Sequence, residues 1–252
     1  MKLNISLAPE TIFEIAGFPI TNTLLWTFVI SLFLIIFTLI LNKRKKLIPG
    51  KIQSVFELLI EKGYDFVKSI IGTEEKARKI FPLVMTMFIF TLVANLVIYI
   101  PGQAAVNLHK SEGIVPVFRA VMSDYGMVFV MTMITIITMH VVAIIVHGPF
   151  GYLKKFINFS SPLNFILGLM DIISEIAKII SLSFRLFGNI FASEVLGAVM
   201  LFLAPFFIPL PFIFLGILTA VVQAFVFSVL TLVFISLAAE IDRDEVVEQH
   251  SI

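Results

Sequence analysis

The chain has no cysteine, little charge and no visible internal repeat, and each absence removes a class of function. Without cysteine there are no disulfides, no thiolate nucleophile and no cysteine metal site. No histidine-rich metal spacing and no serine nucleophile elbow appears either, so a membrane-embedded enzyme finds no support, and neither a metal nor a cofactor is expected. A formal net charge of +1 leaves no electrostatic footprint for a nucleic-acid partner. The missing repeat denies support to the inverted-repeat logic of secondary transporters. The first twenty residues carry Glu10 and Glu14 and no basic region before an apolar run, so a cleavable signal peptide is not expected.

What is present is apolar. With 59% hydrophobic and 14% charged residues and a mean hydropathy of +1.06, the apolar surface exceeds what a soluble core of 252 residues could hide. The composition predicts an all-α integral membrane protein, a single membrane domain over residues 1–252. After an outer N-terminal segment (1–22), residues 23–41 are long enough to cross roughly 30 Å of hydrocarbon. Residues 51–72 switch pattern: Ile52, Phe56, Leu59, Phe66, Val67 and Ile70 share one helical face and Gln53, Glu57, Glu61, Asp65 and Lys68 the other, which predicts an amphipathic helix in the interface. Further spans are expected at 80–100 and 126–146, separated by an outer loop at 101–125. A long helix at 163–203 and a last one at 212–240 follow, divided by Pro205, Pro209 and Pro211, with a solvated tail at 241–252. Lys43 to Lys46, Lys76 to Lys79 and Lys154-Lys155 must share a side, which the positive-inside rule makes cytoplasmic. Five crossings then put the N-terminus outside and the C-terminus inside.

Arg185 lies in the middle of the longest apolar stretch. A cation at the centre of a bilayer costs from about 3 to more than 10 kcal/mol, depending on how far water and snorkelling relieve it. On a helix advancing about 100° per residue, Asp171, Ser174, Lys178, Ser181, Gly188, Asn189, Ala192, Leu196 and Val199 fall beside it. That stripe is polar at one end and small near its centre, the composition of a surface that meets another helix or water. Glu194 falls about 180° away and points into the rest of the chain. In the last span Gly216, Thr219, Ala220, Gln223, Phe227 and Thr231 share a face, and Gln223 is the one amide in that run. A buried amide needs partners.

Ser181-Leu182-Ser183-Phe184-Arg185-Leu186-Phe187-Gly188-Asn189-Ile190-Phe191-Ala192-Ser193-Glu194 resembles the signature of subunit a of the F-type ATP synthase. The run Gln223 to Thr231 resembles that family's last helix, and Pro82 through Asn95 to Pro101-Gly102, with Ser123-Asp124, resembles two further stretches. The resemblance implies a non-catalytic membrane subunit whose last two crossings form a long tilted hairpin against the ring of c subunits. It implies two offset half-channels and proton flow coupled to rotation and ATP synthesis. Arg185 matches the arginine facing the rotor carboxylate, Asn189 and Gln223 match amides near it, Glu194 the acidic residue of the outer half-channel, and Asp124 an aspartate at its mouth. Asp171, Glu175 and Ser181 are implied for the inner half-channel. Peripheral-stalk b subunits, the rest of the ATP synthase and membrane lipid are the implied partners, and the bacterial plasma (inner) membrane the implied location. Gly216 departs from the histidine or glutamate that some relatives carry, Ser193 from a glycine or histidine, and Gly126 from an asparagine. A glutamate or histidine placed at Gly216 in a Glu194→Gln variant is expected to restore some transport if the two positions face the same water path. The choice between H⁺ and Na⁺ lies largely in the rotor chain.

Simpler roles compete at several positions. Lys178 is expected to snorkel towards the cytoplasm, His140 and His147 to be satisfied interfacial histidines, and Asn95 to hydrogen-bond between helices. The rival for the whole chain is a self-contained channel or secondary transporter in which Arg185 binds an anionic substrate; it needs no ring.

Overall fold

A computed structural model describes residues 9–15, 18–46, 48–100, 107–110, 113–156, 162–203, 207 and 209–240. The expected tail at 241–252 and Pro205 lie outside the described residues. Two strands, β1 (Thr11–Ile15) and β2 (Phe18–Thr21), pair antiparallel ahead of the first helix, α1 (Asn22–Lys43). Thr21 caps α1, its hydroxyl accepting from Leu24 N–H at 3.3 Å, and Lys43 sits in the last turn, where the helix dipole favours a cation. Phe28, Leu32, Phe33, Ile35, Ile36 and Leu39 all face outwards from α1. A helix so apolar on its outer surface is solvated by lipid.

Helix α2 (Lys51–Ile71) is the amphipathic one, and it stops at Gly72, whose φ of 76° supplies the left-handed turn that closes the helix on Lys68. Val67 is buried, with Phe56 and Leu59 half-buried. Ile52, Val55 and Leu58 remain exposed, so the apolar sector is wider than the protein it touches and also meets lipid. Lys68 donates to Glu74 at 3.0 Å across the turn, and that hydrogen bond with the adjoining negative charge raises the lysine's pKa.

Helix α3 (Glu74–Leu96) begins six residues before the expected span, because a helix need not end where the hydrocarbon does. Glu74 and Glu75 occupy its first turn, where the dipole favours anions, and Lys76, Arg78 and Lys79 ride on it instead of preceding it. It tightens into a 3-10 turn at Val97–Tyr99. Strands β3 (Asn107–Lys110) and β4 (Gly113–Pro116) form a second antiparallel hairpin within the expected loop. A 3-10 turn at Val121–Ser123 then leads into α4 (Tyr125–Phe156). The span expected to end at 146 is continued by helix, but the backbone breaks at Gly148 (φ 73°, ψ 159°) and resumes on Pro149, a residue suited to a helical start.

The chain closes with α5 (Pro162–Leu203) and α6 (Pro209–Glu240). Among the described residues five helices are long and apolar enough to cross a membrane, and with α2 in the interface this is an all-α integral membrane protein. Helix α6 lies at the centre, packed on α3, α4 and α5. Ala220, Ala224, Phe227, Thr231, Leu232 and Ile235 are fully buried on it, and small side chains among them let neighbouring backbones approach. Helix α5 has 42 residues, about 60 Å at 1.5 Å per residue, twice the thickness of the hydrocarbon core. It must therefore tilt strongly or protrude.

Candidate functional site

Helix α5 has two faces of different chemistry. Leu182, Leu186 and Ile190 are buried against the core, while Phe184, Arg185, Asn189 and Ala192 are exposed. Arg185 makes one weak hydrogen bond, Nη2 to the Ser181 hydroxyl at 3.4 Å. Among the described residues no carboxylate lies within ion-pair distance of it. A guanidinium midway along an apolar helix is thus left without a counter-charge on an outward face.

One turn further on, Asn189 Nδ2 donates to Gln223 Oε1 at 2.8 Å, tying α5 to α6. Gln223 is buried and its Nε2 has no partner; Asn95 on α3, also fully buried, reaches Ala220 O at 3.5 Å and leaves its own oxygen unpaired. Orphaned buried amides cost free energy unless water or a conformational change satisfies them. Thr135 on α4 meets Thr231 at 3.1 Å, so the interior of the bundle carries a thread of polar groups.

In the C-terminal half of α5, Glu194 turns away from Arg185. Its carboxyl adjoins Ser123 of the 3-10 turn and lies in the field of Arg119, and its Oε2 is buried without a partner. The Ser123 hydroxyl donates to Ala120 O at 2.9 Å and receives Arg119 Nε at 3.4 Å. Since its single proton is committed, a protonated Glu194 can donate to Ser123 without rearrangement, whereas an ionised one asks the serine to swing. Asp124, expected at the same entrance, is committed elsewhere: Oδ1 accepts Gly126 N–H at 2.9 Å and caps α4, and Oδ2 accepts the Thr23 hydroxyl at 2.7 Å. Trp26 donates to Val117 O at 2.9 Å and stacks on Phe118, pinning the same segment to α1.

At the other end of α5, Glu175 and Lys178 form an ion pair at 2.8 Å, their side chains only 13% and 27% exposed, and the lysine lies over the Phe234 ring. Lys178 does not simply snorkel: a carboxylate three residues back, on the same face, holds it against α6. The pair lines a cavity of about 220 Å³ with Met139, Tyr152 and Phe234. Tyr152 Oη hydrogen-bonds His140 Nδ1 at 2.8 Å beside it, and His147 Nε2 bonds Ala238 O at 2.8 Å. Asp171 is half-buried one turn before Glu175, and Ser181 is exposed below Arg185. Sequence reasoning did not single out Arg119, Tyr152 or Tyr99; a tyrosine or arginine near the end of a span is too common to signal more than an interface.

Among the described residues no group of histidines and carboxylates could hold a metal ion. The family described as ATP synthase A chain matches residues 24–236. ATP synthase subunit a of Moorella thermoacetica is 32% identical over 231 residues, covering 90% of this chain and 95% of the relative. The proteins of the same name from Desulfotalea psychrophila and Helicobacter hepaticus are each 35% identical, over 85% and 86% of this chain and 83% and 89% of their own lengths.

Proposed function

We propose that this chain, which belongs to the ATP synthase A chain (subunit a) family, uses Arg185 to separate two offset half-channels through which protons reach and leave a carboxylate on a rotating c ring. As a subunit a it is a multi-pass membrane stator component of the ATP synthase. The observation that carries the finer reading is Arg185: a cation on an outward apolar face, with no carboxylate within ion-pair distance among the described residues, asks for a counter-charge from outside the chain.

Opposite charge in a low-dielectric site holds the passing carboxylate ionised and blocks direct proton transfer across the seam. Glu194, with Ser123 and Arg119, serves the outer path; the cavity at Glu175, Lys178 and Tyr152 serves the inner one. Asn189 and Gln223 fix the helix pair on which Arg185 rides. Asp124 orders the outer entrance by capping α4 and holding Thr23 rather than by carrying the proton. A buried carboxyl oxygen without a partner, beside hydroxyls, is the setting in which proteins bind water, and water completes such a path. Each unit charge crossing 100 mV releases about 2.3 kcal/mol, so successive small steps can turn a rotor. No covalent bond is made by this chain, which sits in the bacterial plasma membrane with its N-terminus outside.

The test is purification through a tag on this chain. A complex containing a c ring, b subunits and an ATPase head, pumping protons on ATP addition once reconstituted, is expected. A chain that purifies alone and transports an anionic solute would overturn the reading.

A further inference from the structure

Gly216 is buried on α6, and a Cβ there would meet Tyr99 Cζ at 2.9 Å and Cε1 at 3.0 Å, with the phenol oxygen closer still. The glycine is therefore a notch, and the tyrosine hydroxyl fills it. A hydroxyl placed among apolar helices is costly unless hydrogen-bonding neighbours meet it. Here the neighbours are polar: the phenol adjoins Ser193 and lies within electrostatic range of Glu194. Ser193 donates its single proton to Asn189 O at 2.9 Å, so it presents lone pairs to a hydroxyl beside it. Asn189 in turn bonds Gln223, one turn from Arg185. A hydroxyl at Tyr99 thus stands at the head of a polar line that runs from Glu194 towards the arginine.

We infer that Tyr99 is a positioning residue of the outer path, its hydroxyl seated in the Gly216 notch and orienting Ser193 and Glu194 for proton exchange. The inference rests on the reading of Glu194 given above. Tyr99 donates into Ser193 and keeps its own lone pairs for a proton presented by Glu194 or an intervening water. A glutamate or histidine at Gly216, expected to restore some transport to Glu194→Gln, meets the Tyr99 side chain and must displace it.

The experiment measures ATP-driven proton pumping in inverted vesicles, normalised to the amount of assembled complex. Tyr99→Phe keeps the ring and is expected to lower pumping about tenfold, less than the loss of a proton-transferring group itself. Two swap variants separate polarity from packing. In Tyr99→Leu with Gly216→Ser a hydroxyl returns to the same volume from the other helix; in Tyr99→Leu with Gly216→Ala only volume returns. The serine pair is expected to exceed the alanine pair severalfold. Equal pumping by the two pairs, or undiminished pumping in Tyr99→Phe, would overturn the inference. Glu194→Gln, assayed alongside, separates the two levels: a dead Glu194→Gln with a fully active Tyr99→Phe sinks only the role of Tyr99, whereas a fully active Glu194→Gln sinks the outer path itself.

Discussion

Lys178 illustrates how much a single residue's role depends on what folds against it. In the sequence it is a lysine towards the end of an apolar stretch, for which snorkelling is the ordinary outcome; in the structure it is paired with Glu175 and pressed on Phe234. Lys178→Met strands a largely buried carboxylate, and the expected cost is about 1–2 kcal/mol, below that of a fully buried pair because both groups retain some exposure. Adding Glu175→Gln to it should recover at least half of the loss. Thermal inactivation of the purified complex measures both, and an unchanged midpoint in Lys178→Met would return the residue to snorkelling. Arg185 and the opposite placement of Glu194 were legible from residue type and helical angle alone. The commitment of Asp124 to Thr23 was not, because it follows from how α1 and the turn before α4 meet. Nor was Tyr99, whose meaning depends on a glycine 117 positions later.

Among the elements, α5 combines great length with little cover. Ile173, Ile176, Ile180 and Phe184 are exposed on it, and the small and polar stripe beside them, Ser174, Ser181 and Ala192, is exposed as well. Cysteines at these three positions are expected to cross-link to cysteines on an outer helix of the c ring, while cysteine at Glu194 is expected not to. The natural chain offers no competing thiol. Equal cross-linking from both faces would contradict the orientation of the helix. Helix type and order could be read from hydropathy, since 20 apolar residues have few alternatives in lipid. Helix ends could not: α3 begins at Glu74 because a charged turn stays helical in water, beyond the reach of a hydropathy argument, and past the break at Gly148 a second helical stretch runs from Pro149 to Phe156. The two short hairpins escaped because they are short segments held by backbone pairing, which leaves no long apolar run to read.

On the scale of the whole molecule, a central helix, α6, is surrounded by α3, α4 and α5, and Arg185 is exposed on α5 with no carboxylate within ion-pair distance among the described residues. Carboxylates with a buried unpartnered oxygen lie on α5 at Glu194 and Glu175, on either side of Arg185. On the function proposed above, these two groups mark the ends of two aqueous approaches. In that proposal Arg185 keeps the two approaches from joining. The most direct measurement is proton flux in inverted vesicles carrying Arg185→Ala. The account predicts loss of ATP-driven pumping together with a passive leak through the membrane sector, and poor rescue by Arg185→Lys, whose compact and strongly hydrated charge loses its proton more readily on burial. Coupled pumping at the natural rate in Arg185→Ala, with no leak, would contradict it.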